Sequence, residues 1–162
     1  MTFREMRRKN QQLSREETLD ILQRATSGVL ALLGDDDYPY AVPLSHVLVG
    51  GTLYFHGAVS GHKADAAARG GKASFCVVSQ DEVHPETLTT HFRNVIAFGR
   101  IRIVQDVAEK LAAIRALAQR FAPGHAGAED EIRTTWSRMH LFALDMEHVT
   151  GKECIELTRM RN

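Results

Sequence analysis

Donors, positive charge and turn-forming glycines come together in one stretch of this 162-residue chain, Leu53-Tyr54-Phe55-His56-Gly57-Ala58-Val59-Ser60-Gly61-His62-Lys63. Leu-Tyr-Phe-His has the aromatic, alternating character of a strand. It breaks at Gly57 and Gly61 and turns into a helix expected over Ser60–Arg69. A strand that turns through small residues into a helix leaves backbone N–H groups without partners beside the positive end of the helix dipole, which is an anion site. His62 and Lys63 sit in the first helical turn, where cations are unfavourable unless an anion is near. A phosphate resolves that conflict. An ordinary strand–turn–helix junction with two solvated basic side chains is the alternative, because a glycine-rich turn alone is a weak signal. His46, His56 and His62 invite a metal reading, yet their spacing across separate elements fits no compact ligand motif, and no metal is expected. His56 is either a strand residue with a single hydrogen bond or a donor and proton source near a substrate, and His46 poses the same choice. No Ser-His-Asp arrangement and no paired carboxylates are legible.

The elements that must position these residues follow from patterning. Ser14-Arg15-Glu16-Glu17 is a capping box opening a helix with Thr18, Ile21, Leu22 and Ala25 on one face. Val29–Leu33 is a short apolar strand, and Gly34-Asp35-Asp36-Asp37 a hairpin-type turn. Tyr40–Val49 is a second strand with Val42, Leu44, His46 and Leu48 on one face. Pro43 places it at an edge or interrupts it. Gly50-Gly51 turns the chain into Leu53–Ala58. Lys72–Ser79 is another buried strand, Asp81–Glu86 a polar loop, and Leu88–Val104 a long β segment bent at Gly99. Asp106 and Glu109 open a helix ended by Pro123-Gly124, with a short helix near Ala128–Trp136, a strand His140–Glu147 and a tail. Phe121 and Trp136 are expected in the core or at a dimer interface, and Arg100 and Arg102 on a solvated barrel face. Hairpin-linked strands with inserted helices predict an α+β fold, a small antiparallel barrel with flanking helices.

Composition agrees with one domain over residues 1–162. Apolar content is 44% and charged content 25%, and twenty basic residues balance twenty acidic ones. That balance offers no argument for nucleic acid or membrane partners. The charge is uneven: in an arm over residues 1–13, Arg4, Arg7, Arg8 and Lys9 stand against Glu5 alone, suited to an anion or to a partner subunit. No apolar run of about 18 residues and no signal-peptide pattern is expected, and the two cysteines, Cys76 and Cys154, are far apart. A cytoplasmic, disulfide-free protein with Cys76 as a buried core thiol is the expectation.

In motif order the chain resembles the pyridoxamine-phosphate-oxidase-like flavoproteins, in particular their nitroimidazole-resistance branch. The resemblance is carried by Phe3-Arg4-Glu5-Met6-Arg7-Arg8-Lys9, Gly28-Val29-Leu30-Ala31 and Tyr38-Pro39-Tyr40-Ala41-Val42-Pro43-Leu44-Ser45. It continues in the His56-Gly57-Ala58 and Gly61-His62-Lys63 stretch, then Phe75-Cys76-Val77-Val78, Phe92-Arg93-Asn94-Val95 and His148-Val149-Thr150-Gly151-Lys152-Glu153. It implies a six-stranded antiparallel split barrel, homodimeric, with FMN in clefts between subunits. Val42, Pro43, Leu44 and Ser45 would run beside the flavin ring. His56, Gly57, Ser60, His62 and Lys63 would hold the ribityl phosphate end, and Arg93, Asn94 and Val95 would add contacts. Two departures stand out: Asn94 replaces the serine of an Arg-Ser-Val pattern, and His46 stands where the branch commonly has tyrosine.

The function this implies is an FMN-dependent oxidoreductase passing electrons to a small-molecule acceptor such as a nitroaromatic, with 5-nitroimidazoles as the suggested class. His56 and His46 are its candidate catalytic side chains. The alternative is the same barrel binding heme or flavin without turnover, as sensor, carrier or store. A cofactor-free interaction domain is a third reading.

Overall fold

Two of the four predicted helix starts form by local side-chain hydrogen bonding. In the computed structural model, which describes residues 2–161, the Ser14 hydroxyl accepts from the Glu17 amide at 3.1 Å and Glu17 accepts from the Ser14 amide at 2.9 Å. These bonds satisfy two donors that a helix start otherwise leaves open. They launch α1 (Arg15–Arg24), which buries Thr18, Ile21 and Leu22. The Asp106 carboxylate likewise accepts from the Glu109 amide at 2.7 Å and starts α3 (Val107–Phe121). The other helices are α2 (His62–Arg69), α4 (Ala128–Thr135) and α5 (Ile155–Arg161).

Seven strands form one antiparallel sheet: β1 (Ser27–Leu33), β2 (Pro39–Ser45), β3 (Val47–Val49), β4 (Thr52–Ala58), β5 (Gly71–His84), β6 (Thr89–Ile103) and β7 (Met139–Glu153). Their order is β2-β1-β5-β6-β7-β4-β3. The α+β class stands, with seven strands where six were expected. The extra strand comes from the segment predicted as one strand over Tyr40–Val49, which divides at His46. β2 pairs with β1, β3 pairs with β4, and the two lie at opposite edges of the sheet. One residue therefore joins both edges, so the sheet must curl until they meet.

The curled sheet encloses the main core. Phe55, Phe75, Phe142, Leu30, Leu53 and Val77 are fully buried there, and Val42, Leu44 and Leu48 pack against it. Alternation along β2 is the reason, turning Val42 and Leu44 inward and Pro43 and Ser45 outward. A second cluster lies outside the sheet, where Tyr54, Leu141 and Ala143 meet Ala113, Ile114 and Leu117 of α3 and Ile132 of α4.

Several expectations need correction. Asp81–Glu86 is no loop: β5 continues to His84, paired with β6 past an irregularity between Val78 and Gln80. The hairpin tip is Pro85–Thr87, with Leu88 in the left-handed region. β7 runs unbroken to Glu153, and α5 follows. Cys76 is half-buried on the outer face, whereas Cys154 is buried, and both are free thiols. Arg102 is not a solvated face residue. It bridges Glu109 (2.7 Å) and Asp145 (2.7 Å), and Tyr54 donates to Glu109 at 2.8 Å. The guanidinium holds both carboxyls below their usual range.

Candidate functional site

The end of β4 and the start of α2 meet around Lys63. Gly61 adopts φ 104°, a conformation open to glycine, and caps α2 without any side-chain hydrogen bond. The first amides of α2 are therefore free of a capping side chain. The Lys63 side chain folds back over β4. A Cβ at Gly57 would come within 2.6 Å of Lys63 Nζ, so only a glycine lets the lysine lie there. Its ammonium lies 5.4 Å from the centre of the buried Phe142 ring. Burial lowers the Lys63 pKa, and among the described residues no carboxylate partner offsets that burial. A half-buried cation with no carboxylate partner among the described residues, carried by the second residue of a helix whose first amides have no capping side chain, suits an anion.

His56 points from β4 to the outer side, exposed, while its neighbours Phe55 and Tyr54 are buried. Partial burial of the ring against the sheet, and then the Lys63 charge, lower its pKa and favour the neutral imidazole. Ser45, His56, Gly57 and Ala58 line one wall of a cavity of about 820 Å³. The opposite wall is α3 and α4, including Leu117, Phe121 and Ile132, with His125, Glu131 and Arg138 also present. These helix residues were not foreseen as site residues. An alanine-rich stripe on α3 has the pattern of any core-facing helix, and Phe121, assigned to core or interface, is 42% exposed.

The remaining predicted residues do not gather at this point. His46 is fully buried: one ring nitrogen bonds the Leu22 carbonyl at 2.8 Å, and the ring sits edge-on to Phe75 at 4.8 Å. Burial pushes its pKa down. An imidazole enclosed in this way cannot touch a ligand, so His46 is corrected from a catalytic candidate to a core residue. His62 turns from the α2 start to stack on Tyr40 at 4.0 Å, and its Nε2 accepts from the Asp35 amide at 3.3 Å. Its role in the structure is to anchor the β1–β2 turn. Ser60 is exposed in the turn beside Gly61.

Arg93 lies at the opposite end of β7 from Lys63. Its Nε donates to the fully buried Glu153 at 3.0 Å, and Arg161 reaches the other carboxylate oxygen at 2.6 Å. Arg93 is thus a counter-ion that keeps a buried charge paired. Asn94 points outward opposite Val78 and Lys152, and Val95 is in the core. Lys63 and Arg93 of one chain share no site. Among the described residues no group of three or more His, Cys, Asp or Glu side chains is placed to hold a metal. Among the described residues no helix is long and apolar enough to cross a membrane.

The outer face of the sheet carries an exposed apolar row. Val29, Cys76 and Ile96 are cross-strand neighbours, and so are Ser74 and Phe98. Val29, Val78, Ile96 and Phe98 are exposed, Val78 at 62%. The basic arm lies over part of this face, with Phe3 stacked on His148 at 4.6 Å and 5.9 Å from Phe98.

A family model described as pyridoxamine 5'-phosphate oxidase matches residues 14–153. No curated protein matches the chain. Among solved structures, a conserved hypothetical protein from Mycobacterium tuberculosis is similar with a TM-score of 0.80 and 16% identity, covering 94% of this chain and 92% of its own. An FAD and heme binding protein from Mycobacterium smegmatis gives 0.74 and 24% identity, covering 94% and 80%. A proposed 5-nitroimidazole antibiotic resistance protein from Bacteroides thetaiotaomicron gives 0.72 and 16%, covering 88% and 86%.

Proposed function

The chain belongs to the pyridoxamine 5'-phosphate oxidase family, and from that premise we propose that it is an FMN-dependent oxidoreductase that reduces small acceptors, nitroaromatics among them. The observation that carries this reading is Lys63, a half-buried ammonium with no carboxylate partner among the described residues, carried by the second residue of α2, whose first amides have no capping side chain. It is a fitting partner for the terminal phosphate of FMN, together with the Ser60 hydroxyl and the α2 amides. Pro43 and Ser45 on the outward face of β2, with His56 and Gly57 on β4, offer the flavin ring an edge of mixed polarity. FMN, when bound, supplies the hydride and electron chemistry. The chain's own residues bind and orient. His56, its pKa lowered, is suited to take a proton or to donate a hydrogen bond from its ring N–H.

The exposed row of Val29, Val78, Ile96 and Phe98 supports a homodimer, because contiguous apolar surface on a sheet face marks a contact site. A second copy against this face would place FMN at the subunit boundary, as the family resemblance implies. An FMN-binding protein in the cytoplasm is consistent with two free thiols. Heme or flavin binding without turnover is a second reading, favoured by the open position of His56 at the cavity.

The deciding experiment is an absorption spectrum of purified protein before and after FMN addition and removal of excess, followed by anaerobic reduction and mixing with a 5-nitroimidazole. Retained flavin and reoxidation by the nitro compound support the proposal. Protein that takes up no FMN overturns it. A Soret band with hemin that is lost in His56→Ala favours the second reading.

A further inference from the structure

The cavity of about 820 Å³ extends from the end of β4 to α3 and α4. Its sheet wall offers two polar side chains, Ser45 and His56, close to where the flavin edge is proposed. Its helix wall is apolar, made by Leu117 and Phe121 of α3 and Ile132 of α4. Ala118 and Ala122 also line it, and the small size of these side chains is what leaves the volume open between α3 and the sheet. The charged and titratable groups on the helix side, His125, Glu131 and Arg138, are exposed. They carry both signs, and no excess charge selects an ionic ligand.

We infer that this cleft is the acceptor pocket, taking a flat, uncharged aromatic ring whose polar substituent faces Ser45 and His56 and whose ring lies against Leu117 and Phe121. An apolar wall opposite a polar one orients such a ligand end-on, since turning it round would bury the substituent without a hydrogen bond. The exposed Phe121 ring offers an aromatic edge to a planar partner. The inference rests on the proposed function for the identity of the reaction, while the pocket itself is a separate claim.

The test is calorimetric titration of FMN-loaded protein with nitrobenzene as a neutral probe and 4-nitrobenzoate as its charged counterpart. Nitrobenzene should bind saturably and at least about tenfold more tightly than the carboxylate. Ala118→Phe, or Ala122→Leu where the first variant is poorly folded, should weaken nitrobenzene at least about tenfold with FMN affinity unchanged. In wild-type protein labelled at alanine methyls, nitrobenzene should shift Ala118 and Ala122 and leave the core residues Ala66 and Ala67 in place. Equal nitrobenzene affinity in a folded Ala118→Phe protein overturns the inference, as does strict competition between nitrobenzene and FMN, which would make the cleft the flavin slot. If the protein takes up no FMN, the proposed function falls. Nitrobenzene binding to flavin-free protein that Ala118→Phe abolishes would then still support the pocket.

Discussion

Replacing Lys63 with methionine separates the cost of its charge from the work that charge does. The stem of Lys63 packs across Gly57 toward Phe142, and methionine preserves most of that contact while removing the ammonium. In the ligand-free protein the ammonium is half-buried with no carboxylate beside it, and burial lowers its pKa. Removing it should leave stability unchanged or slightly raised, by up to about 1 kcal/mol. With FMN present the sign reverses. A charge-assisted contact between an ammonium and a phosphate contributes about 1.5–3 kcal/mol, or roughly 10- to 150-fold in affinity. Fluorescence titration with FMN and with riboflavin, which lacks the phosphate, distinguishes this contact from general damage. FMN affinity should fall within that range while riboflavin affinity stays within about twofold. Equal FMN affinity in wild type and Lys63→Met would remove Lys63 from the site. A parallel loss of riboflavin binding would show that the side chain shapes the cleft and does not hold the phosphate.

Phe98→Asp in the exposed row of the outer face should convert a dimer to a monomer by light scattering on a sizing column, and a dimer that persists would place the interface elsewhere. The folded-state pKa of His46 lies below its unfolded value. The folded form therefore stays neutral while the unfolded chain gains a proton, and stability is lost as pH falls through about 6.5, with a slope of at most about 1.4 kcal/mol per pH unit from this residue. Urea midpoints between pH 8 and pH 5 should flatten by that component in a folded His46→Gln variant. A Cβ at Gly99 would lie 2.1 Å from the Asp145 carbonyl oxygen, a backbone atom. Gly99→Ala should cost about 2 kcal/mol or more by thermal melt, and an unchanged midpoint would show that β7 can shift away.

How much of this was visible beforehand depended on whether the deciding contact was local. Ser14 and Glu17, like Asp106 and Glu109, are three residues apart, and both helix starts form where the spacing placed them. The inward face of Val42, Leu44, His46 and Leu48 also follows from alternation. That the strand divides at His46 does not, because the division is set by where β1 and β4 lie in the curled sheet. The far end of β5 was hidden for the same reason. Gln80, Asp81 and Glu82 show no apolar alternation, and their strand character comes from pairing with Arg93, Phe92 and His91. At the site, the junction of β4 with α2 was legible from its glycines. The direction of each side chain was not. His62 and Lys63 are adjacent, yet one leans on Tyr40 and the other on Phe142, partners chosen by tertiary packing. Arg93 matched a binding motif, but its partner Glu153 lies sixty residues away.

The position of β7 between β6 and β4 has a consequence for how the molecule comes into being. β1 with β2, β3 with β4, and β5 with β6 are neighbours along the chain and can zip as soon as each pair is synthesised. Until β7 exists, however, the pieces β2-β1-β5-β6 and β4-β3 have no strand to join them. A nascent chain emerging in order would carry two sheet fragments with facing open edges, tethered at His46, through the synthesis of both α3 and α4. Such edges are sticky toward other chains. The last strand acts as the clasp, and the interval before it arrives is the period in which this fold is most exposed to mispairing with another copy of itself.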